Sequence, residues 1–185
     1  MYANNLTNYT KYLSNDAVYC NDREVGSGTY SATGSEFDYK AYTRLVTNKT
    51  LSYDCINTND KFTVSTSTGN GKLRYPIGLM TADEISFAGG VYGNNAPAYY
   101  YKNSAGNSST GSYWWYTMSP FACDGLKSYV FYVRGSKDPA YFHGINVDNS
   151  GGVRPVTSLK SCVKWSSGDG SATTPYTILE SESGC

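Results

Sequence analysis

Tyr-Trp-Trp-Tyr-Thr-Met-Ser-Pro, residues 113–120, is a run of aromatic and β-favouring residues that predicts a central strand. We expect its large side chains to lie in or near the core: Tyr113, Trp114, Trp115 and Met118. A second distinctive phrase, Gly-Gly-Val-Arg-Pro-Val, occupies residues 151–156. The stretch between the two phrases is irregular and rich in Tyr, Ser and Asn. We interpret the phrases as a frame and this stretch as a display surface.

A short helix is predicted upstream, within Met-Thr-Ala-Asp-Glu-Ile-Ser-Phe-Ala-Gly-Gly, residues 80–90. Thr81 and Glu84 have the spacing of a capping box, in which each side chain satisfies a free amide of the first turn. Gly89 and Gly90 end the helix. Asp83 and Glu84 suit the positive end of the helix dipole, so we interpret both as capping residues and not as catalytic acids.

The remaining patterns predict short elements. Strand-like stretches occur at Ser128–Arg134, around Ile145 and Val147, and at Val153–Leu159. Residues 38–47 have roughly helical spacing, and a strand is the alternative there. No linker and no internal repeat divides the chain. We therefore expect one loop-rich α+β domain over residues 1–185, built from short helices packed on small antiparallel sheets, with residues 1–17 as a polar lead-in.

Composition excludes several classes of function. The chain has 15 basic and 15 acidic side chains, whereas nucleic-acid binding and polybasic membrane contacts need concentrated positive charge. No stretch is long and apolar enough to insert into a membrane. The start has no signal-peptide pattern, so we expect a natural segment upstream of Met1 in a longer secreted protein. The 19 Tyr suit both β-strands and binding surfaces.

The five cysteines lack the close spacing of a zinc site, and His143 is the only histidine. Structural disulfides are the better interpretation in so polar a chain. Cys20 and Cys55 flank one N-terminal segment, and Cys162 and Cys185 flank the C-terminal tail, so we predict these two pairs. Cys123 then remains as a free thiol or a small buried apolar residue.

The order of these phrases resembles the C-type-lectin-like fold, in its bacterial branch related to formylglycine-generating enzymes. That branch has a Thr-x-x-Glu helix ending in Gly-Gly, then a Trp-rich strand, then a Gly-Val-Arg strand. The matching residues here are Thr81, Glu84, Phe87, Ala88, Gly89, Gly90, Trp114, Trp115, Gly152, Val153 and Arg154. The chain also looks like a family of bacterial surface modules with the phrases Tyr75–Glu84 and Gly168-Asp-Gly170, over about residues 18–180.

The resemblance implies an extracellular, cell-surface or secreted module, found in such proteins behind pilin-like or other anchoring segments. Related folds are the variable proteins of diversity-generating retroelements, in which adenine-directed mutagenesis rewrites exposed positions between the Trp strand and the Arg strand. Residues 124–150 occupy that place. Their Tyr, Ser, Asn and Asp content fits adenine-rich codons, although ordinary loop chemistry produces the same bias.

Catalytic and metal sites are not expected. The chain has no nucleophile elbow, and formylglycine-generating chemistry needs a pair of late cysteines that is lacking here. Asp124, Asp138 and Asp148 are scattered, and the loop motifs of calcium-dependent lectins are missing, so neither a metal nor another cofactor is predicted. An enzyme that uses Cys123 and His143 as a thiolate pair is a remaining alternative.

We therefore predict a non-catalytic module for adhesion or ligand binding, whose loops 124–150 display the recognition face. The predicted ligand-binding residues are Tyr129, Tyr132, Arg134, Lys137, Tyr141, Phe142, His143, Asn146, Asp148 and Asn149. The expected partner is a protein or glycan on another cell or surface. The alternative is a structural pilin-like or fibre subunit that associates with itself. Arg154 is interpreted as structural, forking onto backbone carbonyls or a carboxylate, for which Asp83 and Glu84 are the candidates. We expect residues 124–150 to tolerate replacement.

Overall fold

A computed structural model describes residues 2–30, 34–64, 71–94, 114–134, 141–171 and 173–185. Short helices and several small, mostly antiparallel sheets form a loop-rich α+β structure. The strands are β1 (Tyr19–Cys20), β2 (Val25–Gly28), β3 (Glu36–Tyr39), β4 (Lys61–Thr63), β5 (Gly71–Lys72), β6 (Gly78–Leu79), β7 (Trp114–Asp124), β8 (Ser128–Arg134), β9 (Phe142–Asn146), β10 (Pro155–Val156), β11 (Trp165–Ser167) and β12 (Thr177–Ile178).

The helices are short. They are α1 (Tyr2–Asn5), α2 (Lys40–Tyr42) and α3 (Ala82–Phe87), with 3₁₀ turns at Thr7–Tyr12 and Thr58–Asp60. A π-helical turn, Thr43–Thr47, continues α2. The predicted helix over residues 38–47 therefore begins two residues late, because Asp38 and Tyr39 belong to β3.

The largest sheet has the order β2-β3-β7-β8-β9, so the predicted Trp strand is central. Strand β8 has the predicted bounds, and β9 replaces the strand expected around Ile145 and Val147, since Val147 lies in the turn that follows. Strands alternate their side chains between two faces. Trp115 pairs with Val133, and Val133 with Phe142, so all three project from the same face.

The core forms where that face meets the helices. Trp115, Phe131, Val133 and Phe142 pack against residues of α2 and its continuation and of α3: Ala41, Leu45, Ala82 and Ile85. Met118 is only half-buried, and Tyr113 lies outside the described residues. The buried neighbours of Met118 are Thr117 and Ser119, whose hydroxyls accept or donate hydrogen bonds within the core.

The three phrases noted in the sequence meet in space. Helix α3 has the predicted capping box between Thr81 and Glu84. The Met118 amide donates to the Met80 carbonyl at 2.8 Å, which joins β7 to the start of α3. Gly152 forms a bridge to Trp115 on β7, and β10 pairs with β6 just before α3. Residues 80–90, 114–120 and 151–156 are therefore one structural unit.

The two ends of the chain also meet. Tyr12 and Leu13 are buried, and the Tyr12 hydroxyl hydrogen-bonds the backbone of Ser181. Leu13 forms a bridge with Leu159. Part of the segment predicted as a lead-in thus packs against the C-terminal part of the domain.

Disulfides join Cys20 to Cys55 and Cys162 to Cys185, the two pairs predicted from the spacing, and Cys123 is free. Such bonds are consistent with an extracellular or secreted location, because oxidising compartments preserve them. Among the described residues, no helix is long and apolar enough to cross a membrane.

Candidate functional site

The structure places the predicted ligand-binding residues on two neighbouring strands and the turn after them. Tyr129, Tyr132 and Arg134 are on β8, Tyr141 directly precedes β9, Phe142, His143 and Asn146 are on β9, and Asp148 and Asn149 are in the turn; Lys137 lies outside the described residues. Residues 124–150 are thus largely a strand pair in their described part, and residues 135–140 between the two strands lie outside the described residues.

Two of these residues are corrections to the expected exposed face. Phe142 is fully buried and stacks on Phe131 with ring centroids 5.0 Å apart, so it is a core residue. Tyr132 is only 5% exposed, although it points away from Val133 on the same strand. Its side of the sheet is covered by the neighbouring Trp114 ring. Alternation alone cannot reveal a strand that is covered on both faces.

A row of rings, here called the aromatic strip, runs across β7 and β8. Trp114 pairs with Arg134 and Tyr116 with Tyr132, so the four side chains lie on one sheet face. The Trp114 ring lies 4.8 Å from Tyr116 and 5.7 Å from Tyr132, both edge to face. The Arg134 Nε donates to the Tyr132 hydroxyl at 3.0 Å. These contacts hold each ring in place.

The strip continues onto β9. The Arg134 guanidinium lies 5.2 Å from the ring centre of Tyr141, a cation–π contact. The Tyr141 ring stacks with His143 at 5.7 Å, and His143 stacks with Tyr92 at 4.6 Å. The strip therefore comprises Tyr92, Trp114, Tyr116, Tyr132, Arg134, Tyr141 and His143. Of these, only Tyr132 is buried and the other six are half-buried.

Tyr92 anchors one end of the strip. Its hydroxyl is 2.9 Å from the His143 Nε2, and its backbone bridges Phe142. Burial, together with the nearby Tyr42 and Tyr141, raises the pKa of Tyr92 to about 12, so it is neutral under physiological conditions. A neutral hydroxyl can donate a hydrogen bond as well as accept one.

The other end of the strip meets the turn after β9. The Tyr116 hydroxyl donates to the Asn149 carbonyl. A Cβ at Gly151 would lie 2.2 Å from the Trp114 ring, so only glycine allows this close approach. The exposed residues Asp148 and Asn149 are thereby held beside the strip.

A cleft of about 460 Å³ opens beside β9, across strands β2, β3, β7 and β8. Its lining includes two residues of the predicted face, Tyr129 and His143. The described residues that line it are Ser27, Gly28, Glu36, Phe37, Asp38, Phe121, Ala122, Cys123, Asp124, Tyr129, His143 and Gly144. The Tyr129 hydroxyl donates to Asp124 at 2.8 Å, and this bond lowers the pKa of Asp124 and raises that of Tyr129. Asp124 is therefore an anion at neutral pH.

Cys123 and His143 both line this cleft, but the ring nitrogens of His143 already have other neighbours. Nε2 faces the Tyr92 hydroxyl, and Nδ1 lies 3.3 Å from the Gly144 carbonyl. The Tyr92 hydroxyl and the Gly144 carbonyl therefore hold the imidazole. Neither of these two contacts involves the Cys123 thiol.

A second cavity, of about 500 Å³, lies beside the Cys20–Cys55 disulfide and contains an ion network. The Arg44 guanidinium bonds Asp83 and Asp22, and Asp83 also accepts from the Ser52 amide. The hydrogen bonds that Arg44 donates to Asp83 raise the pKa of the guanidinium. Asp83 thus links α3 to the turn after α2, a stronger role than the predicted favourable contact with the helix dipole.

Arg154 was expected to bond backbone carbonyls or a carboxylate, with Asp83 and Glu84 as the candidate carboxylates. The structure places its guanidinium over the Trp115 ring, 5.0 Å from the ring centre. Asp83 is bound by Arg44, and Glu84 accepts from the Thr81 amide and hydroxyl. Arg154 therefore belongs to the frame through the Trp strand.

Sequence reasoning missed three members of the strip. Tyr92 follows the Gly-Gly end of the helix and carries no local signal, because its contact with His143 spans 51 residues. Trp114 and Tyr116 lie in the strand predicted as core. Alternation with the buried Trp115 was the signal that they point to the other face.

No family model matches this chain, and no curated protein or solved structure was found to match it. Within the described residues, no group of three or more His, Cys, Asp or Glu side chains is placed to hold a metal ion.

Proposed function

We propose that this chain is a non-catalytic extracellular recognition module with a C-type-lectin-like scaffold, and that the aromatic strip is its ligand-binding surface. The observation that carries the proposal is the continuous contact of half-buried rings around Arg134. Tyr, Trp and Arg are the residues that dominate binding energy at protein interfaces. In this chain, Tyr, Trp and Arg side chains of the strip lie together on β7, on β8 and directly before β9.

Rigidity supports the same function. Each ring of the strip touches another ring or the Arg134 guanidinium, and Tyr92 and Tyr116 are fixed by hydrogen bonds. Side chains that are already ordered lose little entropy when a partner binds. Tyr and Trp side chains combine an apolar ring with a polar group, a combination that suits a protein or glycan partner.

The scaffold proposal is supported by the meeting of residues 80–90, 114–120 and 151–156. These are the phrases that carry the resemblance to C-type-lectin-like modules. Their mutual contacts explain why the phrases occur together: each completes the packing or pairing of another.

The ligand is sought with a peptide display library and a glycan array, and each selected binder is then tested on two variants. Arg134→Ala with Tyr141→Ala removes the centre of the strip. Trp165→Ala with Tyr176→Ala removes an exposed aromatic pair on another sheet, as a matched control. We expect binding to fall at least about tenfold in the first variant only. An equal loss in both, or a loss in the control alone, contradicts the proposal.

The same samples test the fibre alternative. Sedimentation velocity of the wild-type domain reports its oligomeric state across concentration. A monomer that binds through the strip supports recognition. If the wild-type domain assembles with rising concentration and the double variant Arg134→Ala, Tyr141→Ala does not, the strip is instead a self-association surface.

A role as a diversified variable protein makes a genetic prediction. The gene would lie near a reverse transcriptase and a near-copy of codons 113–154 that differs at adenines. Tyr, Asn and Asp codons contain adenine and Phe codons do not. The exposed or half-buried Tyr141, Asn146 and Asp148 are therefore in the diversified class, and the buried Phe131 and Phe142 are outside it. Sequencing the neighbourhood decides this directly.

A further inference from the structure

The cleft bounded by β2, β3, β7, β8 and β9 has the size of a small-ligand site. Its volume of about 460 Å³ lies within the range of roughly 300–1,000 Å³ typical of such pockets. It shares Tyr129 and His143 with the predicted recognition face. A ligand that covers the strip next to His143 can therefore extend into it.

Aromatic rings form its walls. Phe37 is buried, and Phe121, Tyr129 and His143 are half-buried. Phe121 lies 4.9 Å from Phe131 and 5.9 Å from His143, so it connects the core to the strip. A Cβ at Gly144 would lie 2.7 Å from the Phe121 ring, so glycine at this position leaves room for the ring. Aromatic faces carry negative charge density and attract cations.

The charged groups of the cleft have one sign. Its lining includes Glu36, Asp38 and Asp124, and no lysine or arginine occurs among the described residues that line it. The register of β3 and β7 sets Glu36 directly opposite Asp124, so two of the three carboxylates belong to paired positions of neighbouring strands. Among the described residues, none of the three carboxylates makes an ion pair. A cation in the cleft would therefore meet only negative charge among the described residues that line it.

We propose that this cleft binds an ammonium or guanidinium group carried by a basic side chain of a protein partner. The proposal rests on the proposed function and specifies the chemistry of its ligand. The rings pack on the methylene stem, and the carboxylates receive the charge. Because Glu36 and Asp124 are exposed and screened by water and salt, a single basic residue binds weakly, and affinity comes from simultaneous contact with the strip.

Cys123 offers an independent readout, because it is the only free thiol and lines the cleft. The test measures how fast Cys123 reacts with three methanethiosulfonate reagents: one that carries a trimethylammonium group, one that is neutral and one that carries a sulfonate. Each rate is divided by the rate at which the same reagent reacts with a small-molecule thiol. We expect the cationic reagent to be favoured over the anionic one about tenfold, and less at high salt. Equal normalised rates would overturn the proposal.

A charge-matched pair of variants isolates the carboxylates of the cleft. Glu36→Gln, Asp38→Asn and Asp124→Asn together remove its negative charge. Asp16→Asn, Glu180→Gln and Glu182→Gln remove three exposed carboxylates outside the lining. The cationic preference should disappear in the first variant and persist in the second. A preference that survives in the first, or is lost equally in both, contradicts a site made by this cleft.

Ligand binding is then measured by NMR with Nα-acetyl-lysine amide and its uncharged aliphatic analogue Nα-acetyl-norleucine amide. We expect the lysine compound alone to shift the amides of Cys123, Tyr129 and Gly144, with a Kd of about 1–10 mM. Equal shifts by both compounds would overturn the charge assignment. If the cleft shows no preference while Arg134→Ala with Tyr141→Ala still abolishes binding of the selected ligands, this inference fails and the proposed function stands.

Discussion

Arg44 and Asp83 form the most buried ion pair among the described residues. The Asp83 side chain is 4% exposed and that of Arg44 is 21% exposed, and Nε donates to Oδ1 at 2.8 Å. The pair connects the turn after α2 to α3, and both elements contribute to the core. Because Asp83 also accepts from the Ser52 amide, the same carboxylate holds the loop that leads to Cys55.

Removal of Arg44 should destabilise the domain strongly. Arg44→Met leaves Asp83 charged in a buried position, and breaking such a pair typically costs about 3–5 kcal/mol. Chemical denaturation measures the loss. Lys40→Met is the matched control, since the Lys40–Glu24 pair is exposed on both sides and such pairs contribute about 0–1 kcal/mol. Similar losses of unfolding free energy in the two variants would show that the Arg44–Asp83 pair does not hold α3 to the turn after α2.

Residues 124–150 should divide into two classes on replacement. Phe131 and Phe142 are fully buried, so Phe142→Ala should lower the free energy of unfolding by about 3–5 kcal/mol. Asp148→Ala combined with Asn149→Ala changes exposed turn residues and should cost less than about 1 kcal/mol. Thermal or urea denaturation tests both. The sequence predicted that all of residues 124–150 tolerate replacement. That prediction holds only if Phe142→Ala lowers the free energy of unfolding as little as the turn variant does.

Local signals in the sequence identified the frame correctly. The Thr81–Glu84 capping box and the terminating glycines lie within a few residues of each other, so α3 could be predicted from them alone. The alternation in Ser128–Arg134 and the aromatic phrase at Trp114 similarly predicted strands β8 and β7. The cysteine pairs followed from the segments that they flank.

The candidate site depended on contacts between distant residues, which the sequence could not supply. Tyr132 was predicted as a ligand-binding residue of the exposed face, and it is buried because Trp114 packs on its side of the sheet. Tyr92 reaches His143 only because its segment pairs with β9. The cleft requires the register that sets Glu36 opposite Asp124, residues 88 positions apart in the numbering.

The Cys162–Cys185 disulfide should stabilise the contact between the two ends of the chain. It closes a loop of 23 residues, and loop entropy predicts about 3 kcal/mol of stabilisation. Replacement of both cysteines by Ser should therefore lower stability by this amount and weaken amide protection at Ser14 and Lys160, which bond across the ends. Hydrogen exchange measures the local effect. Unchanged protection at these amides would contradict the link, whatever the change in global stability.

The turn between β11 and β12 should loosen in acid. Asp169 accepts from the Thr174 hydroxyl and the Ser171 amide, and these bonds lower the pKa of its carboxyl to about 2 from the ordinary 3.8. A lowered pKa in the folded state means that the stabilisation is complete above pH 4 and is lost as the pH falls through 2. The NMR signal of the Trp165 indole, on the adjoining strand, should follow this titration. Asp169→Asn keeps an acceptor but cannot titrate, so it should abolish the transition between pH 4 and 2 while leaving any global acid unfolding in place. An identical Trp165 titration in the variant would show that other carboxylates control the turn.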